Sequence, residues 1–182
     1  MKGSVSFNKA LQQADIVHLC IPASEIPSIG TIKRDSLLIL HDSVMSSSDL
    51  WINYHQRDSA IAVHMLMNDT NKVVINSESH LKDRAQQHFS SLMLSPVFLS
   101  INEHDRMSAF SQTPLLLLLP LMPMLESWSN EGLLTPSALD LLALLKKRSE
   151  RWTESTSASL AKNHHIRDLI EMMHEGIKET PV

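Results

Sequence analysis

The stretch Ala14-Asp15-Ile16-Val17-His18-Leu19-Cys20-Ile21-Pro22 decides the fold. It is a mostly apolar run stopped by a proline, and it reads as a buried parallel strand from the middle of a dinucleotide-binding sheet. Such a sheet normally cradles a pyrophosphate on a Gly-x-Gly-x-x-Gly turn between its first strand and first helix. The four glycines here, Gly3, Gly30, Gly132 and Gly176, are too scattered to form that turn. The strand is present and the phosphate-binding turn is not.

Outward from this strand, short apolar runs at residues 36–40, 60–64, 72–75 and 97–101 alternate with helical patterns. Ser47, Ser48 and Asp49 are N-cap residue types ahead of a short helix through Trp51 and Tyr54. Leu81, Ala85, Phe89, Leu92 and Met93 recur at helical spacing. This alternation predicts an α/β fold, a partial doubly wound, mainly parallel sheet covered by helices. After Glu103 strand signals stop. Residues 103–128 read as one long apolar helix bent at Pro114, Pro120 and Pro123. Thr135-Pro136 opens another helix, with residues 150–162 and 164–176 as two more. The expected division is a nucleotide-binding-like domain over residues 1–101 and an all-helical domain over 102–182.

With 182 residues and 43% hydrophobic content, the chain can build a real core. A net charge of −4 with interspersed signs lacks the basic footprint of a nucleic-acid binder. The one basic cluster, Lys146-Lys147-Arg148, reads as a solvated helix end. Cys20 is the single cysteine; it excludes an intrachain disulfide, fits a reducing compartment and reads as a small buried hydrophobe. The apolar run at residues 115–125 holds two prolines and falls short of the roughly 20 residues of a membrane span. It is expected to be a helix buried in a bundle or a subunit interface. Met1-Lys2-Gly3-Ser4 is not followed by the apolar stretch of a secretory signal. Together these features predict a soluble cytoplasmic protein with no membrane partner. A structural metal is not expected, because no His-Glu-x-x-His and no cysteine pair occur.

Four stretches in order resemble the prephenate/arogenate dehydrogenase family, from its second Rossmann half to its C-terminal helical domain. Residues 14–22 are similar to the family strand that ends in a proline beside the nicotinamide. Leu38-Ile39-Leu40-His41-Asp42-Ser43-Val44 is similar to its strand-end Asp-x-x-Ser-Val segment. Ala62-Val63-His64-Met65 stands where the family has His-Pro-Met or His-Pro-Ile. Glu103-His104-Asp105-Arg106 with Ser111-Gln112-Thr113-Pro114 is similar to a helix opening with Glu-His-Asp and running into Ser-His-Leu-Pro-His.

The resemblance implies NAD(P)-linked oxidative decarboxylation of prephenate or arogenate in tyrosine biosynthesis, by a homodimer built on the helical domain. It implies that His64 takes the proton of the ring hydroxyl and that Ser43 orients it or the substrate. An imidazole titrating near neutrality suits that task. It also implies cofactor contacts at Pro22 and Ser43 and substrate contacts at Ser111 and Gln112. His104-Asp105 is expected to mark and cap the helix entry. Met65-Leu66-Met67 replaces the usual residues after the histidine, and Gln112 and Leu115 stand where the helix motif has histidines. Leu139 falls where an arginine would grip a carboxylate, and leucine offers no such pairing. These departures support an alternative: a non-catalytic dimerisation or regulatory module derived from the same family. The missing first strand also predicts that residues 15–21 form a sheet edge, covered by residues 5–7, by a second subunit, or by sequence lying outside this chain.

Overall fold

The computed structural model describes residues 6–21, 25–26, 31–66, 71–150 and 154–179. Helix α1 (Phe7–Gln13) leads into a five-stranded sheet formed by β1 (Ile16–Leu19), β2 (Leu37–His41), β3 (Ala60–Leu66), β4 (Lys72–Asn76) and β5 (Ser95–Leu99). Helix α2 (Met45–Tyr54) crosses from β2 to β3, and α3 (Lys82–Ser91) crosses from β4 to β5. The strand order is β1-β2-β3-β4-β5, parallel throughout except for the β3–β4 pair.

Strand alternation assigns the two faces. Val17, Leu19, Leu38, Leu40 and Ala60 pack with Leu11 of α1 and with Trp51 and Ile52 of α2. Next to them, Ala62 and Val74 pack with Met45 and Ile101. The opposite face, Leu37, Ile39, Ile61, Val63, Val73 and Ile75, is covered by Ala85 and Phe89 of α3. This is the mainly parallel, helix-covered sheet that the alternation predicts.

Among the described residues β1 pairs only with β2, so it stands at the edge of the sheet, as the missing first strand predicts. Among the described residues its outer backbone has no ladder partner, and its burial alternates instead of being continuous. Cys20 falls just beyond the strand and is exposed, not a buried hydrophobe. Of the residues 5–7 offered as a substitute strand, Val5 lies outside the described residues and Phe7 begins α1.

The chain divides into two compact units, residues 1–105 and 106–182. The division falls inside α4 (Ile101–Leu118), four residues beyond the expected boundary. The entry of α4 is a capping box: Glu103 Oε2 accepts the Ser100 N–H at 2.8 Å, and Ser100 Oγ accepts the Glu103 N–H at 3.2 Å. Pro114 sits within α4 without ending it. The break comes at the 3₁₀ turn Leu119–Leu121, which carries Pro120, before α5 (Met122–Asn130), where Pro123 occupies the permissive first turn. Helices α6 (Pro136–Ser149), α7 (Glu154–Ala161) and α8 (His165–Glu179) follow, with Thr135 Oγ1 capping α6 by accepting the Ala138 N–H at 3.3 Å. Gly176 lies inside α8 rather than ending it.

The leucine run is only partly buried. Leu115, Leu118 and Leu119 pack on Leu125, Leu142 and Leu145, while Leu117, Leu121 and Met124 remain exposed. The expected all-round burial is therefore absent within this unit. Three prolines and the 3₁₀ turn notwithstanding, the helical run Ile101–Asn130 spans 30 residues and is long and apolar enough to match a membrane span. One such helix does not assign a membrane, because core helices of soluble proteins share that length and composition.

Candidate functional site

His64 lies in the C-terminal half of β3, opposite Val74 of β4. Its Nδ1 is 2.7 Å from Nε2 of His104, a fully buried residue in the first turn of α4. On the other side of that ring, His104 Nδ1 is 2.8 Å from Oδ1 of the equally buried Asp105. The carboxylate also accepts the backbone N–H groups of Met45 at 2.8 Å and Ser46 at 3.0 Å. Burial alone would raise the Asp105 carboxyl, but hydrogen bonds from His104, Ser46 and Met45 outweigh it and hold it below its ordinary value.

This corrects two readings of the cap residues. Helix α2 begins at Met45, ahead of Ser47, Ser48 and Asp49, because a carboxylate from 60 residues away satisfies its first N–H groups. Asp105 accordingly caps α2, and Glu103 is the residue that closes the entry of α4. His64 itself is held neutral near physiological pH: burial and the nearby His104 lower it to about 4, against a smaller opposing pull from Asp105.

A second line of imidazoles runs along the α3 face at the sheet edge. His18 Nδ1 is 2.8 Å from His41 Nε2, and His18 Nε2 is 2.8 Å from His88 Nε2. His18 stacks on His41 with ring centroids 5.1 Å apart and meets Phe89 edge-on at 5.8 Å. Burial and then His18 lower His41 to about 4, and burial and then His88 lower His18. His18 spends one ring nitrogen on each neighbour, so the three rings form a chain rather than converging on a point. Among the described residues no three His, Cys, Asp or Glu side chains are arranged to hold a metal ion.

Ser43 lies in the bend between β2 and α2. That bend is fixed beside β3 by the Asp42 N–H, which donates to Val63 O at 3.1 Å, and Asp42 in turn accepts the Val44 N–H at 3.2 Å. Ser43 and His64 therefore belong to neighbouring strand ends of the same unit. Pro22 lies outside the described residues. Ser111 and Gln112 stand farther along α4, in the second unit, where both bond to Ser108 at 3.3 Å. His104 and Asp105 are the pair whose site geometry the sequence did not announce: His104 is 40 residues from His64, and the Glu-His-Asp string looks like a helix start.

No family model and no curated protein matches the sequence. Solved structures resemble it in fold. The prephenate dehydrogenase of Aquifex aeolicus superposes with a TM-score of 0.57 at 15% identity, over 97% of this chain and 82% of that one. The fold is shared with prephenate dehydrogenase structures. A second structure of the A. aeolicus enzyme, in complex with hydroxyphenyl propionate and NAD+, gives 0.54 at 16% identity over 97% and 78% of the two chains. Synechocystis arogenate dehydrogenase gives 0.59 at 15% identity over 92% and 72%.

A dinucleotide would need a home for its phosphates, and the described residues do not fit it. No strand, glycine turn and helix stand in succession among them. The N-terminus of α2, just beyond the end of β2, is the kind of position where a phosphate binds, and the Asp105 carboxylate already occupies its N–H groups. No step through such a cofactor follows from this geometry.

Proposed function

We propose that this chain supplies the proton-accepting part of a prephenate or arogenate dehydrogenase-like oxidoreductase, of the class that carries out NAD(P)-linked oxidative decarboxylation in tyrosine biosynthesis. The observation that carries the reading is His64: a neutral imidazole at a strand end, backed by a buried histidine and a carboxylate, on a fold shared with these enzymes. A base must be unprotonated at working pH, and His64 is favoured in its neutral form by burial and His104, which lower it below the near-neutral range the resemblance implies. It takes the proton of a substrate ring hydroxyl, with Ser43 orienting the group. The family resemblance assigns a cofactor contact to Pro22, which lies outside the described residues, and substrate contacts to Ser111 and Gln112 of the second unit. The helical unit forms a homodimer through its exposed apolar residues, in the cytoplasm, without nucleic-acid or membrane partners.

The misfit to a dinucleotide phosphate, with Leu115 and Leu139 in place of polar groups, favours a second reading as a non-catalytic dimerisation or regulatory module. Calorimetric titration with NAD+ and NADP+, with and without prephenate, separates the two. Saturable binding, with turnover that falls at least about 100-fold in His64→Ala at unchanged thermal stability, supports the enzyme. A folded protein that binds none of these is the module.

A further inference from the structure

Resting on the assignment of His64 as base, we propose that His104 is its positioning residue: it holds His64 in the Nδ1–H tautomer, so that Nε2 is the atom that accepts the proton, and Asp105 sets the direction.

The protons along this line can be placed from its buried end. An ionised carboxylate can only accept, so Asp105 Oδ1 requires a proton on His104 Nδ1. A neutral His104 then presents an unprotonated Nε2. The 2.7 Å contact to His64 Nδ1 is a hydrogen bond only if His64 donates. A neutral His64 that donates from Nδ1 has its lone pair on Nε2. With His104 neutral each ring thus has one assignment, fixed from the buried end. A charged His104 paired with Asp105 would donate from Nε2 and leave the proton of His64 on Nε2, which is the result that overturns the proposal.

Asp105 is itself immobilised by the Met45 and Ser46 N–H groups at the start of α2. The tautomer of the base is therefore tied to the same cap that sets where α2 begins, and hence to the bend that carries Ser43. Free imidazoles favour the opposite tautomer, with the proton on Nε2. An Nδ1–H tautomer at His64 is thus a signature that simple burial would not produce.

Long-range ¹H–¹⁵N correlation on ¹⁵N-histidine-labelled full chain at pH 7.5, without cofactor or substrate, reads the tautomer directly. The expected spectrum has a pyrrole-type Nδ1 and a pyridine-type Nε2 at His64. His104→Leu should shift His64 toward the Nε2–H form and lower any turnover about 10-fold or more, and His104→Gln, whose carbonyl oxygen can accept from Nδ1, should restore both. A wild-type His64 protonated at Nε2, or doubly protonated, overturns the proposal, and that spectrum decides even if His104→Leu does not fold. An unchanged tautomer in a folded His104→Leu overturns it as well. Because the spectrum needs no activity, an Nδ1–H His64 whose removal leaves turnover unaltered would sink the catalytic reading and leave the positioning role standing.

Discussion

The two histidine lines, one on each face of the same sheet, are built from the same side chain and differ in how they end. The line His64–His104 terminates on a buried carboxylate that is already fixed by two backbone N–H groups. The line His88–His18–His41 has no carboxylate bonded to it among the described residues. Its protons can run in either direction, because His18 can donate from Nδ1 while accepting at Nε2, or the reverse. Equal spacing of rings therefore does not make equal chemistry. A carboxylate at one end converts a degenerate chain of imidazoles into a directed one.

The largest difference between the lines should appear when each loses its anchor. Asp105→Ala strands the His104 Nδ1–H and the Met45 and Ser46 N–H groups in a buried setting, and should cost about 3 kcal/mol or more in urea unfolding. His18→Ala, at the exposed edge, should cost less than about 1 kcal/mol. Similar losses would break the contrast.

Acid should then act on both lines. His41 and His64 are lowered to about 4 from an ordinary 6.5, so the folded state resists protonation that the unfolded chain accepts. Stability is full above pH 6.5 and falls as the pH drops toward 4, by on the order of 1–3 kcal/mol for each half-buried ring. Urea midpoints at pH 7.5 and 4.5 measure it. His41→Leu should remove its own share and leave most of the share of His64, to which His41 makes the smallest contribution, whereas a flat profile would contradict both shifts.

The smallest effect concerns only the edge line. His88 sits in the last turn of α3, which closes through Met93 at φ 60°, with Leu94 N–H donating to Phe89 O at 3.0 Å. Helix α5 closes the same way through Gly132 at φ 72°, with Leu133 N–H donating to Trp128 O at 2.9 Å. Methionine strains in that region and glycine does not. Met93→Gly should raise the thermal unfolding free energy by about 0.5–1 kcal/mol, and Gly132→Ala should lower it by about 1 kcal/mol, with the His64 resonances unmoved by either.

Much of the fold was legible because local patterns and tertiary demands agree in it. All five strands fall within two or three residues of the apolar runs, and Thr135-Pro136 opens α6 as its chemistry requires. His64 and Ser43 were legible only through resemblance, since a histidine at a strand end is ordinarily just half-buried. What the chain did not disclose locally was set by long-range contacts. The start of α2 depends on Asp105, the exposure of Cys20 on which strand has a neighbour, and the half-burial of residues 115–125 on what packs against one side of a helix. The pairing of His64 with His104 spans 40 residues and carries no periodicity that could reveal it.

The measurement that tests the account most directly follows the labelled histidines while hydroxyphenyl propionate, the ligand in one A. aeolicus structure, is titrated into the wild-type chain. The account predicts saturable shifts of the His64 and His104 imidazole signals, with His18, His41 and His88 unmoved. Shifts confined to the edge line, or none at a saturating concentration, would contradict it.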